Sequence, residues 1–215
     1  MNAYDYWSII QGSFATIGVS FAGIVLGVPL GLGLALLRWA KVPVVQRICY
    51  CYVSIVRSCP AVTLILLIYF GLPQFGLELN PLAAALIALS LTAAAFSCEI
   101  WRASLITFDR QQYDAALAFG MPAWLRVWRI VLPQAWQSSL PGLVNEMTML
   151  IKSSPAIAVI GMVEITRAAQ RVGARTYDPM PPLMFGLCLY LVIIFALVRA
   201  QRRFEKKSPS LEGGA

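Results

Sequence analysis

Apolar positions along the 215-residue chain gather into five long runs, at about residues 14–37, 53–70, 82–100, 140–163 and 183–198. A helix needs about 20 apolar residues to cross a hydrocarbon core ~30 Å thick, so runs of this order separated by polar stretches predict membrane-spanning helices. The pattern predicts an all-α membrane protein. Its five transmembrane helices form a single transmembrane domain over residues 1–207, followed by a flexible cytoplasmic tail at 208–215. The second run is the least regular, because Arg57 and Pro60 lie inside it.

The polar stretch between the third and fourth runs, about residues 103–135, has a pattern of its own. From Gln111 to Phe119 the residues favour a helix, with Tyr113, Ala116 and Leu117 on one face and Gly120 as a left-handed stop. Small side chains at Ala115, Ala116 and Ala118 let another surface approach closely. Asp114 either caps or pairs near the helix start, where a carboxylate complements the dipole, or is a solvated surface carboxylate. Met121-Pro122 then opens a second amphipathic helix with Trp124, Leu125, Trp128 and Ile130, and Pro133 turns the chain back toward the membrane. A short polar helix between segments made for lipid is either a lid on the lipid surface or a handle for a soluble partner.

Composition agrees with a bilayer as solvent. Hydrophobic residues make up 59% and charged residues 13%, with a mean hydropathy of +0.72, too little polar surface for a soluble domain of this size. Of the 17 basic residues, twelve fall on one side if the N-terminus is outside: Arg38, Lys41 and Arg47; Arg102, Arg110, Arg126 and Arg129; and Arg199, Arg202, Arg203, Lys206 and Lys207. The positive-inside rule therefore predicts an outside N-terminus and an inside C-terminus. The net charge of +7 belongs to this asymmetry and to anionic membrane lipid, since the chain has no basic and aromatic platform for nucleic acid. Met1 to Gln11 lacks a basic n-region and carries Asp5, so the first span itself is expected to target the protein.

Several chemistries are missing. The chain has no histidine, which excludes Ser-His and Cys-His nucleophile pairs and histidine-based zinc motifs. Cys49, Cys51, Cys59, Cys98 and Cys188 are scattered in or beside apolar runs and read as buried thiols. No phosphate-binding G-x-x-x-x-G-K-[ST] loop is present, and the glycines from Gly27 to Gly33 lie in the first span, where they suit close helix packing. No catalytic residue, metal site or ATPase motif is predicted. Energy for any active transport must come from another subunit or an ion gradient.

The strongly polar residues within the spans are Arg57, Glu146 and Lys152. A charge near the bilayer centre costs roughly 2.5–3.5 kcal/mol even on the insertion scale, so these are candidates for a polar path. Glu146 falls about 9 Å beyond Leu140 along a helix. Asn145, Thr148 and Lys152 share one helix face, and Glu146 leads the neighbouring one with Met149, Leu150 and Ser153. A helix carrying both a carboxylate and an ammonium suits a zwitterionic amino acid, although Glu146 pairing with Arg57 or Lys152 as internal glue is equally open. Glu99 and Arg102, one turn apart, predict a structural ion pair at the inner end of the third span. Glu164, Arg167, Arg171 and Arg175 recur at helical spacing outside the fourth span, as a solvated stripe or a docking face.

Asp114-Ala115-Ala116, Gly120, Ile130, Leu132 and Pro133 resemble the E-A-A...G...I-x-L-P loop of bacterial ABC importer permeases, specifically the polar amino acid uptake family. The likeness runs through most of the chain. Arg57-Ser-Cys-Pro60 resembles R-G-T-P, Tyr69-Phe-Gly-Leu-Pro73 resembles Y-F-G-L-P, and Glu99-Ile-Trp-Arg102 resembles E-x-x-R. Pro133-Gln-Ala is similar to L-P-Q-A, Pro141 to Asn145 to L-P-x-L-x-N, and Lys152 with Ile160-Gly161 to K-D-T-S-L...I-G. Asp114 stands where glutamate is usual, and Ser153-Ser154-Pro155-Ala156 replaces Asp-Thr-Ser-Leu, adding a proline to the fourth span.

The resemblance implies a type I ABC importer permease fold with a cytoplasmic coupling helix, in which Asp114, Ala115, Ala116 and Gly120 contact the ATPase. It implies an ATP-binding cassette subunit holding ATP and Mg, a second copy or homologous permease subunit, and a periplasmic or extracellular solute-binding protein. The implied setting is the bacterial cytoplasmic (inner) membrane. Asn145-Glu146 resembles permeases for histidine, other basic amino acids and opines. The rival readings are an ion-coupled secondary transporter of amino acids with Glu146 as proton carrier, an intramembrane enzyme, for which the groups are missing, and a channel or scaffold, which needs no such loop.

Overall fold

The computed structural model describes residues 1–40 and 42–207; Lys41, counted above among the inner cations, and the tail at 208–215 lie outside the described residues. All regular structure among the described residues is helical. Helix α1, Ala3–Trp39, is 37 residues long, about 55 Å, and exceeds the expected run because its polar start continues the same helix. Asn2 begins it by donating its backbone N–H to the Asp5 carboxylate at 2.7 Å.

The second predicted span is not a straight helix. Helix α2, Pro43–Ser58, and helix α3, Ala61–Leu66, meet at a bend of 110°, and α3 runs on through a π turn, Leu67–Gly71, and a 3-10 turn, Leu72–Phe75. The break follows from Pro60, which has no N–H to give and drives Cys59 into extended backbone, φ −87° and ψ 129°.

Helix α4, Pro81–Ile106, opens on Asn80, whose side chain accepts the Ala83 N–H at 2.7 Å. Its buried face is a run of small residues, Ala84, Ala88, Ala94 and Ser97 among them, and it meets a glycine stripe on α1. A Cβ placed on Gly31 would stand 2.8 Å from the Ala94 carbonyl oxygen and 2.9 Å from the Cys98 nitrogen. The two backbones thus touch where side chains elsewhere keep helices apart.

Helix α5, Arg110–Ala118, precedes α6, Ala123–Arg126, which continues through a π turn, Val127–Val131, into α7, Leu132–Ser153. The α-helical part of the fourth span therefore begins before residue 140 and ends at Ser153. Beyond it the chain tightens into a 3-10 turn, Ser154–Ile160, with Pro155 in its first turn and Gly161 as a left-handed stop, φ +92°. The proline redirects the span rather than kinking a continuous helix. Helices α8, Ile165–Thr176, and α9, Met180–Lys207, complete the fold.

Among the described residues four segments are long and apolar enough to cross a membrane: Ala3–Trp39, Pro81–Ile106, Ala123–Ile160 and Met180–Arg203, with the bent α2–α3 pair as a fifth if it counts as one span. Their outward faces are apolar, with Phe14, Phe21 and Leu30 on α1 and Leu187, Leu191 and Phe195 on α9 exposed, as a lipid solvent requires.

Helix α1 also fixes which parts lie far apart. Near its end Trp39 packs edge-on against Tyr113 of α5, ring centroids 6.3 Å apart, and at its start Asp5 forms an ion pair with Arg175 of α8. Helices α5 and α8 therefore sit at opposite ends of the bundle. Helix α8 is locked by Glu164, fully buried, whose carboxylate accepts the Thr166 and Arg167 N–H groups at 2.7 and 2.6 Å and the Tyr190 hydroxyl of α9 at 2.8 Å.

Candidate functional site

Helix α5 is closed at both ends by its own sequence. Its start is capped by Asp109, whose carboxylate accepts the Gln111 N–H at 3.0 Å. Of the two readings of Asp114 the capping one is corrected, since Asp114 lies mid-helix, beyond reach of the free N–H groups of the first turn, and its exposure fits the solvated carboxylate. At the other end the Gly120 N–H donates to the Leu117 carbonyl at 2.9 Å and the Met121 N–H to the Ala116 carbonyl at 3.0 Å, with Gly120 at φ +73°. These two bonds form a Schellman motif.

One face of α5 is fastened down. The Tyr113 ring lies between Trp39 and the Arg126 guanidinium, which stands 4.5 Å from the ring centroid. Gln134 of α7 donates to the Gln112 side chain at 2.6 Å. Arg126 is only 7% exposed, and its Nε and Nη1 have no hydrogen-bond partner among the described residues, so the tyrosine face is its principal compensation. The other side stays open, with Asp114, Ala115 and Ala118 exposed, Leu117 53% exposed and Phe119 92%.

The turn at Gly120 can be tested, because among the described residues beyond its chain neighbours none comes within 4 Å of a Cβ placed there, and the left-handed backbone alone disfavours side chains. Gly120→Val will weaken the α5 turn and lower transport several-fold, whereas Gly120→Asn, which tolerates this conformation, will keep most of it. Equal transport rates for the two variants in vesicles would remove the turn from the mechanism.

The ion pair predicted between Glu99 and Arg102 of α4 is present and larger than expected. Glu99 accepts from Arg102 Nε at 2.8 Å and also pairs with Arg38 of α1. Arg38 was invisible to a local reading because it lies 61 residues away.

On α7, Asn145 and Lys152 are exposed and Glu146 half-buried, while Thr148 is buried and donates to its own helix at the Val144 carbonyl, 2.9 Å away. Glu146 forms no ion pair with Arg57 or Lys152, although Arg57 is near enough to act on it electrostatically. Arg57 instead lies over the Phe96 ring, 5.2 Å from its centroid. The internal pairing open to Glu146 is therefore not made within one chain. Glu146, Arg57 and Lys152 are thus without ion-pair partners among the described residues.

Comparison with known proteins identifies the family. Residues 27–208 match the family described as "Binding-protein-dependent transport system inner membrane component". The arginine transport system permease protein ArtQ of Bacillus subtilis (strain 168) is 34% identical over 203 residues, covering 94% of this chain and 93% of its own. The L-cystine transport system permease protein TcyB of the same organism is 32% identical over 205 residues, 94% of this chain and 88% of its own. Among solved structures, an amino acid ABC transporter crystallised with histidines superposes with a TM-score of 0.85 at 29% identity over 94% of both chains. An inward-facing form of the MetNI methionine ABC transporter gives 0.81 at 19% identity over 96% of this chain and 99% of its own, a likeness of fold. The ion-coupled reading of Glu146 finds no support among these relatives. With a family match over most of its length and relatives above 30% identity along nearly all of it, the chain belongs to the inner-membrane components of binding-protein-dependent transport systems.

Proposed function

We propose that this chain is the permease subunit of an ATP-driven importer of polar amino acids, with the transport path alternating between the two sides of the membrane. The observation that carries the reading is α5: a short helix capped at both ends, held on one face by Tyr113 and Gln112, and open on the face bearing Asp114, Ala115 and Ala118. A lever must be rigid, anchored and accessible, and α5 meets all three requirements. An ATP-binding cassette subunit, which holds ATP and Mg, grips this helix from the cytoplasm; the permease itself performs no covalent chemistry.

In this reading the chain is one transmembrane domain with five spans, the bent α2–α3 pair serving as the second, in the bacterial inner membrane. Its N-terminus lies outside and its C-terminus inside, following the bias of basic residues toward the α5 side. Asn145, Glu146, Thr148, Lys152 and Arg57 line the path, and a second copy or a homologous permease covers the charged surface that lipid would penalise. Relatives named for arginine and cystine transport, and a related transporter holding histidines, support an amino acid as solute. Glu146 favours the cationic members of that class.

Reconstitution with a cognate ATPase and binding protein, followed by a screen of amino acids, tests the reading. One polar or cationic amino acid is expected to stimulate ATP turnover about tenfold in the presence of the binding protein. Uptake that continues when ATP is depleted would overturn it.

A further inference from the structure

Helix α8 divides its residues by chemistry. Ile165, Ala168, Ala169, Val172 and Gly173 are buried against the bundle, while Arg167, Gln170, Arg171 and Arg175 face outward. The three arginines are not equivalent. Arg175 is committed to the fold, pairing with the buried carboxylate of Asp5 and lying over the Tyr4 ring at 5.7 Å from its centroid. Arg167 and Arg171, one turn apart, form no ion pair among the described residues. Like charges at this spacing repel, and the Glu164 carboxylate beside them is spent on backbone N–H groups and on Tyr190. The pair is thus an uncompensated positive patch, on a helix pinned at both ends so that its arginines keep a fixed separation.

The position of the patch selects its partner. Helix α8 lies at the opposite end of α1 from α5, so the two helices face different compartments if the spans cross the membrane. Basic residues on the outer side run against the usual bias, and the strongly anionic leaflet is the cytoplasmic one. The family is defined by dependence on a binding protein, which must deliver its solute on the side away from the ATPase. We propose that Arg167 and Arg171 form a docking site for a carboxylate-bearing surface of the solute-binding protein, while Arg175 is withheld from it by Asp5. This rests on the importer reading above. Because such contacts act mainly on encounter, the patch governs how much binding protein is needed and leaves the rate at saturation nearly untouched.

The test uses the full complex in nanodiscs, measuring ATP turnover against binding-protein concentration. Arg167→Glu with Arg171→Glu is expected to raise the half-saturating concentration at least about tenfold with a near-wild-type maximal rate, and to flatten its dependence on salt. The milder Arg167→Gln with Arg171→Gln will give an intermediate shift at an unchanged melting temperature, separating docking from folding. Half-saturation within twofold of wild type in both double variants overturns the proposal. So does a shift that follows the anionic lipid content of the nanodisc and vanishes in zwitterionic lipid, which would assign the patch to headgroups. A wild-type complex indifferent to its binding protein would instead overturn the importer reading itself.

Discussion

Replacing Gly31 by leucine will prevent stable folding, and replacing it by alanine will cost about 1–3 kcal/mol, whereas alanine at Gly33 will be neutral or stabilising by up to ~1 kcal/mol. The contrast comes from what each position faces. A Cβ on Gly31 meets the Ala94 carbonyl oxygen at 2.8 Å and the Cys98 nitrogen at 2.9 Å, both backbone atoms of α4 that no rotamer change can move. Gly33 has nothing within 4 Å of its would-be Cβ, so alanine there gains helix propensity and loses no contact. Forcing α1 from α4 also pulls on the Arg38–Glu99–Arg102 network, which joins the same helices two turns further along. Melting temperatures in detergent measure the difference. If Gly31→Ala melts with Gly33→Ala, α1 and α4 do not pack in this register.

That contact shows how far a sequence reading reaches. The glycines from Gly27 to Gly33 announce close packing, but one-dimensional pattern does not reveal that α4 is the neighbour or that Gly31 faces it and Gly33 does not. The apolar runs of α1, α4 and α9 were legible because hydropathy is a local property and lipid rewards it directly. The bend at Cys59-Pro60 was signalled by the proline but not by mean hydropathy, which counts apolar residues on both sides of a break alike. In the loop, Gly120 was readable since a left-handed stop depends on one residue. The start was misassigned: Asp109 lies just ahead of the helical pattern, and Asp114, inside it, drew attention through its likeness to the loop motif. Arg38, Arg126 and the Asp5–Arg175 pair were missed for a common reason. Their partners lie in another helix, and a cation counted for membrane orientation gives no hint that it also clamps a tyrosine or closes on a carboxylate.

Glu146→Gln will lower uptake of a cationic amino acid about 10- to 100-fold and leave neutral amino acids at or above their wild-type rate. The magnitude follows from losing one hydrogen bond to a charged group, worth roughly 1.5–3 kcal/mol where water is excluded. The sign for neutral solutes is opposite because the variant removes a carboxylate from a span where it has no ion-pair partner among the described residues. A purely structural carboxylate would behave otherwise. Bound to Arg57 or Lys152 across a subunit boundary, its loss would destabilise the assembly and depress all solutes together, since the abandoned cation would remain uncompensated. Competition assays with cationic, neutral and acidic amino acids on the reconstituted complex, alongside its melting temperature, separate the two cases. An undiminished preference for cations in Glu146→Gln would remove Glu146 from solute recognition.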